Sequence, residues 1–222
     1  MYVSNSYLFP DIEHKMKSSY SVEYLVRSSI IGHHRGWVFT PDDLSRFGSR
    51  QAIHKALSRL AQDEFIKRLS RGIYVYPKQH KVLGEIMPAT WEIAKAIARQ
   101  EDARIIPSGA YAANLLGLSE QVPGRAIFLT EGKARKLHIG KQIIELKKVS
   151  RKQMVIKGEF SALLHQALKY IGREKVSEQM FDQIEAMLTK ERINEINRDK
   201  KWVSPIWIAE LFNDLGKGEN NV

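Results

Sequence analysis

Polar and basic side chains between residues 50 and 59 have the types and spacing needed to contact a nucleic acid. They are Arg50, Gln51, His54, Lys55, Ser58 and Arg59. Arginine and glutamine can read guanine and adenine edges in the major groove, so Arg50 and Gln51 are candidate base readers, with His54 beside them. Lys55, Ser58 and Arg59 are candidate donors to phosphate oxygens. These residues predict a DNA-contacting face, provided that one helix carries them.

The apolar residues between these positions predict such a helix. Ile53, Ala56, Leu57 and Leu60 recur at helical spacing and would lie on the opposite side, against a core. Ser49 stands where an N-cap hydroxyl accepts a free backbone N–H, and it joins the candidate DNA-binding set. We therefore predict a recognition helix over residues 49–62.

A shorter helix is predicted immediately before the recognition helix. Thr40 is a candidate N-cap, Pro41 fits the first helical position, and Asp43 lies where a carboxylate meets the helix dipole. This helix is expected to stop at Phe47 and Gly48. Further upstream, apolar residues recur at helical spacing between residues 22 and 30 and predict a helix that packs beneath the motif.

Two strand-like runs follow the recognition helix. Gly72, between them, permits a tight turn that places Arg71 at the tip of a wing. The candidate wing contacts with phosphate or the minor groove are Lys67, Arg68 and Arg71. The order of these elements predicts a winged helix-turn-helix over residues 19–82.

Charge is distributed unevenly along the 222-residue chain. Residues 35–81 hold 10 basic and 4 acidic residues, a net charge of +6, whereas residues 151–222 hold 12 and 11, a net charge of +1. A concentrated positive charge favours a polyanionic partner, and binding to it should weaken steeply with salt. The chain has no cysteine, which excludes disulfides, thiolate metal sites and cysteine nucleophiles.

The rest of the chain predicts a small helix-plus-antiparallel-sheet domain followed by a helical C-terminal region, so the fold class is α+β. In the small domain we expect a helix capped by Ser108 and, after it, three strands that form a meander. The expected divisions are a flexible arm (1–18), the winged helix (19–82), the α+β domain (83–157), the helical region (158–215) and a disordered tail (216–222), with residues 78–88 as a connector. No apolar stretch approaches the roughly 20 residues of a membrane span, so we expect a cytoplasmic protein without membrane contact.

Alternatives remain open for these patterns. A basic helix face can simply be a solvated surface, and a winged helix can dock proteins instead of DNA. A more remote alternative is a metal-dependent nuclease, in which carboxylates hold the metal and a lysine positions a water. Glu145 and Lys147 lie on one predicted strand, and Glu131 lies upstream of it. An alternating strand shows the same pattern without any metal. No pattern in the sequence predicts a catalytic residue, a metal site or a cofactor.

One resemblance covers roughly residues 20–150. The run RGWVFTPDDLSRFGSRQAIHKALSRLAQDEFIKRLSRGIYVYPK, followed by PSGAYAANLLGLSEQVPGRAIFLTEG, resembles the AbiEi-type antitoxins of type IV toxin-antitoxin systems, which serve in phage defence. The resemblance implies a winged helix that binds operator repeats and represses its own operon, with a homodimer or two copies bound cooperatively. It also implies a second domain that counteracts a nucleotidyltransferase-like toxin, with or without binding it.

The second part of the resemblance suggests a candidate partner-binding surface. Its residues are Ser108, Tyr111, Asn114 and Arg125. The alternative is structural, because Gly109 and the alanines that follow make a small-residue helix that can pack closely on a sheet.

Overall fold

The computed structural model describes residues 20–82 and 84–217, and its contacts divide the chain into two compact units. The first unit is Met1–Gln100 and the second is Glu101–Val222. The arm expected at residues 1–18 and the last five residues of the expected tail lie outside the described residues. The fold class is α+β, as predicted.

The first unit contains the winged helix-turn-helix. Its elements are helix α1 (Val22–Gly32), strand β1 (Val38–Phe39), a 3₁₀ helix (Pro41–Phe47), helix α2 (Arg50–Gln62), strand β2 (Lys67–Ser70) and strand β3 (Ile73–Val75). Strand β3 lies between β1 and β2 and is antiparallel to both, with Val75 opposite Val38 and Lys67. The core between the helices and this sheet is apolar, with Ile30, Phe39, Leu44 and Leu57 fully buried.

The joint before α2 is held by one carboxylate. Oδ2 of Asp43 accepts the backbone N–H of Thr40 at 2.8 Å and the Thr40 hydroxyl at 3.2 Å, and Oδ1 accepts Nε of Arg99 at 3.2 Å. Arg99 also donates to the carbonyl of Val38 at 2.9 Å. A residue near the end of the first unit thereby ties β1 and the 3₁₀ helix together.

Arg99 belongs to helix α3 (Thr90–Gln100), which packs against β1 and β3 through its buried residues Ile93, Ala94 and Ile97. The boundary between the compact units therefore lies after Gln100, whereas the sequence placed it after residue 82. The amphipathic pattern of α3 shows which of its faces is buried, but it does not show which sheet that face packs against.

The connector expected at residues 78–88 contains two paired strands. Strand β4 (Lys78–His80) pairs antiparallel with strand β5 (Gly84–Ile86), and Lys78 lies opposite Ile86. Both strands are mostly exposed, so they lack the alternation of apolar and polar residues by which a half-buried strand is recognised.

The second unit has a four-stranded sheet whose order differs from the expected meander. Strands β6 (Ile105–Ser108), β7 (Arg125–Thr130), β8 (Arg135–Ile139) and β9 (Gln142–Lys148) lie in the order β6-β7-β9-β8. β7 and β9 are parallel, and β8 lies at the edge, antiparallel to β9. The predicted meander was wrong. Alternation of apolar and polar residues determines which side chains of a strand are buried, but it does not determine which strands are neighbours in the sheet.

Helices complete the second unit. They are α4 (Ala110–Leu115), α5 (Glu159–Ile171), α6 (Glu178–Glu185), α7 (Lys190–Asp199) and α8 (Ile206–Leu215). The predicted cap at Ser108 was wrong: Ser108 ends β6, and Gly109, with φ of 62°, precedes the first turn of α4. Two carboxylates of α7 cap the start of α5, where Asp199 accepts the N–H of Gly158 at 2.7 Å and Glu195 accepts that of Phe160 at 2.9 Å.

Across residues 20–82 and 84–217, no helix has the length and apolar character needed to span a membrane.

Replacing Asp43 with Ala should lower the free energy of unfolding by about 1–2 kcal/mol, because the amide of Thr40 loses its acceptor. Urea unfolding measures this difference. Asp42→Ala is the matched control, since the neighbouring carboxylate is exposed, and it should change stability by less than about 0.5 kcal/mol. Equal losses in the two variants would contradict the assigned role of Asp43.

Candidate nucleic-acid interface

The polar face predicted for α2 is present and open to solvent. Its exposed residues are Ser49, Arg50, Gln51, His54, Lys55, Ser58 and Arg59. The opposite face packs into the core, where Ile53, Leu57 and Leu60 are 0–1% exposed. Burial of one face fixes the rotation of the helix, so its polar side chains project together from the first unit.

The first turn of α2 is favourable for an approaching anion. The hydroxyl of Ser49 accepts the N–H of Ala52 at 3.3 Å, which confirms the predicted N-cap. Arg50 and Gln51 occupy this turn, and the turn has no acidic residue. Since the N-terminal end of a helix carries partial positive charge, the backbone here adds to the attraction of Arg50 for phosphate.

Ion pairs divide the candidate cations into two groups. NH1 of Arg59 lies 3.1 Å from Oε2 of Glu23, and Nζ of Lys67 lies 2.8 Å from Oε1 of Glu85. In contrast, Arg50, Lys55 and Arg71 form no ion pair with any carboxylate in the described part of the chain. These three side chains therefore have no carboxylate partner to give up when an external anion binds, whereas Arg59 and Lys67 must first exchange one.

The predicted wing is a short hairpin between β2 and β3. Gly72 has φ of 74°, the left-handed conformation that the turn requires and that glycine adopts without strain. The neighbouring Arg71 is exposed at the tip, as predicted. Nε of Arg68 points back to the carbonyl of Ser70 at 3.4 Å, beside an irregularity in the strand pairing.

Further basic residues of the first unit were missed because they lie outside the predicted recognition helix and the predicted β2–β3 wing. Lys78 and Lys81 are exposed on the β4–β5 hairpin, whose strand β5 is joined to β2 through the Glu85–Lys67 ion pair. Arg46 is exposed on the 3₁₀ helix. The only sequence signal for these residues was the local excess of positive charge.

Two other basic residues of the first unit have structural contacts. The guanidinium of Arg27 lies 4.4 Å from the ring centre of Phe65, and that of Arg35 lies 4.8 Å from that of Tyr76. These contacts join α1 and the segment before β1 to residues that flank the wing strands β2 and β3. Both side chains are exposed, so these contacts leave each guanidinium accessible to solvent.

The four candidate partner-binding residues each make a contact within the second unit. Oγ of Ser108 donates to Oε1 of Gln166 at 3.0 Å, and the ring of Tyr111 packs edge-on against Phe128. The remaining contacts are those of Asn114 with the carbonyl of Ser119 at 3.2 Å and of Arg125 with Glu145 at 3.6 Å. Each side chain therefore supports the local fold, whatever else it contacts.

The acidic residue that suggested a nuclease is held by cations. Glu145 lies 3.6 Å from Arg125 and 3.9 Å from Lys147. Among residues 20–82 and 84–217, no three histidine or acidic residues are grouped so that they could hold a metal ion.

Residues 25–196 match a family model described as "Family of unknown function (DUF6088)", so the match covers most of both compact units. No curated protein matches the chain.

Proposed function

We propose that this protein, which belongs to the DUF6088 family, binds double-stranded DNA through α2 and the β2–β3 wing and acts as a transcriptional regulator. One observation carries the proposal: the polar residues of α2 are exposed together while the opposite face is buried. In a winged helix this is the arrangement by which the second helix of the turn enters the major groove.

The positions of the side chains suggest different roles along α2. Arg50, Gln51 and His54 occupy its N-terminal half, the part that reaches base edges when such a helix docks. Lys55 and Ser58 follow on the exposed side and are suited to the phosphate backbone. Arg71, at the tip of the wing, would contact phosphate or the adjacent minor groove.

The regulatory role rests on the resemblance to AbiEi-type antitoxins. On that basis the protein represses its own operon from operator repeats, with two copies per site, and counteracts a nucleotidyltransferase-like toxin in the cytoplasm. DNA binding resides in the first unit under this proposal, and antitoxin activity in the second. The two activities should therefore be separable by substitution.

The direct test of DNA binding is a salt series with the region upstream of the gene and a random duplex of equal length. We expect preference for the upstream DNA, and a loss of roughly 100-fold in affinity between about 50 and 200 mM salt if about four phosphates are contacted. Absence of any preference across the series would instead favour a protein-docking winged helix.

Arg50→Ala should reduce the preference for upstream over random DNA by about 1–3 kcal/mol, because a base contact is lost. Arg71→Ala should weaken binding to both duplexes to a similar extent, because phosphate contacts do not depend on sequence. Fluorescence anisotropy with both duplexes measures the two effects. If Arg50→Ala weakened both equally, Arg50 would be a phosphate contact and not a base reader.

Lys55→Ala should weaken DNA binding more than Arg59→Ala, since Arg59 already has a carboxylate partner in Glu23. The same anisotropy measurement at one fixed salt concentration compares them. Glu23→Gln is the matched control: it frees Arg59, so the cost of Arg59→Ala should be larger in that background. An unchanged cost would show that the ion pair does not limit Arg59.

The antitoxin activity is tested by co-expression with a nucleotidyltransferase-like gene from beside this one. We expect growth to recover with the wild-type protein and equally with Arg50→Ala, since the substitution lies in the first unit. Failure of both to restore growth would leave a DNA-binding regulator without a toxin partner.

A further inference from the structure

The second unit contains a cavity of about 420 Å³ beside the end of β6 and the middle of α5. Its volume is within the range of small-molecule sites, which is about 300–1,000 Å³. All of its lining residues belong to the second unit, whereas the residues proposed to contact DNA belong to the first.

Two adjacent side chains of α5 form a polar patch in this cavity. His165 and Gln166 are 8% and 9% exposed. Nε2 of His165 lies 2.7 Å from the carbonyl of Ser204, so this nitrogen carries the proton and Nδ1 is left as an acceptor. Oε1 of Gln166 accepts the hydroxyl of Ser108, and its amide nitrogen lies 3.5 Å from Nδ1 of His165.

These groups present a neutral hydrogen-bonding edge. Burial lowers the pKa of His165, the hydrogen bond to Ser204 opposes this shift, and the charge of Lys169 adds to it. Among the described residues, Nδ1 of His165 is the only hydrogen-bond partner of the Gln166 amide nitrogen, which has two N–H donors. One donor and the lone pairs of the Ser108 hydroxyl are therefore available to a ligand with its own donors and acceptors.

The charge of the cavity favours an anion. Lys152 and Lys169 line it, and no carboxylate does so among the described residues. Both lysines are exposed, and neither forms an ion pair within residues 20–82 and 84–217. An ammonium group without a carboxylate partner at the mouth of a cavity attracts phosphate more strongly than one already neutralised.

Two aromatic side chains line the same cavity and remain open to solvent. Tyr170 is 51% exposed and Trp202 is 54% exposed, which leaves large aromatic surfaces uncovered. Half-exposed aromatic rings beside a basic cavity are suited to stack on a planar heterocycle. Proteins that bind single-stranded DNA or RNA use aromatic rings in this way to stack on the bases.

We propose that this cavity binds a mononucleotide. Its base stacks on Trp202 or Tyr170, the edge of the base bonds to Gln166 and Ser108, and its phosphate lies between Lys152 and Lys169. The polar edge, the aromatic surfaces and the unpaired lysines each match one part of such a ligand. A simple anion would need only the lysines, and an apolar ligand would offer no acceptor to the second N–H of the Gln166 amide.

Isothermal titration calorimetry of the full chain with AMP, GMP, CMP and UMP tests the proposal. We expect one site per chain for at least one of them, with affinity about tenfold or more above that of inorganic phosphate and of the matching nucleoside, because both halves of the ligand contribute. The same titration with a short single-stranded oligonucleotide shows whether a free nucleotide or the end of a strand is preferred.

The substituted residues are exposed, so replacing them should not unfold the protein. Loss of binding can then be distinguished from loss of folding. Lys169→Gln and Trp202→Leu should each weaken binding about fivefold or more, while Lys175→Gln, an exposed lysine outside the cavity, should leave it unchanged. Thermal unfolding of each variant verifies the fold. All of them should retain DNA binding, since that face lies in the first unit.

Three results would overturn the proposal. They are no saturable binding of any mononucleotide at millimolar concentration, equal affinity for phosphate alone, and wild-type affinity in both cavity variants. Binding of the oligonucleotide but of no mononucleotide would equally reject a mononucleotide site. None of these outcomes bears on the DNA-binding proposal, which is measured with duplex DNA and with variants of α2.

Discussion

The arrangement of the first unit depends on the hydrogen bonds that the carboxylate of Asp43 accepts from Thr40 and Arg99. This carboxylate joins the start of the 3₁₀ helix at Thr40 to Arg99 of α3, and Arg99 in turn holds the carbonyl of β1 at Val38. The side chain of Asp43 is 17% exposed, so water competes for it less than for a surface acid. Without this junction the short helix before α2 would lose its anchor to the sheet. The angle at which α2 leaves the unit depends on that short helix.

Close packing against α1 restricts the turn at Gly48, between the 3₁₀ helix and α2. A Cβ on Gly48 would lie 2.9 Å from a methyl group of Val22, so only glycine lets α1 approach the turn so closely. Ser49 follows at once and caps α2. One carboxylate, one close contact and one cap, all within a few residues of the first turn of α2, thus anchor the start of this helix. Apart from the Ser49 cap and the ion pair of Arg59 with Glu23, the polar face of α2 takes no part in that anchoring, so most of its side chains remain open to a ligand.

Much of the first unit followed from local signals. Caps, glycine turns and helical spacing act over a few residues, so α1, the 3₁₀ helix, α2 and the β2–β3 wing were all predictable. The β4–β5 hairpin was not, because both of its strands face solvent and carry no periodic pattern. In the second unit the three later strands were found, but the parallel pairing of β7 with β9 was not. A strand can pair with any of several strands that are distant in sequence. The alternation of apolar and polar residues is the same for each possible pairing, so it does not distinguish between them.

The sequence by itself determined which elements form in the winged helix and which face of α2 is polar, because propensity, capping and amphipathic spacing are local properties. Only the tertiary structure decided which cations are already paired. Arg59 meets Glu23 across 36 residues of sequence, and Lys67 meets Glu85 across 18. It also assembled the cavity of the second unit, where Ser108 and Gln166 are 58 residues apart. Such contacts depend on how separate elements pack, and the spacing of residues along a single helix or strand carries no information about that packing.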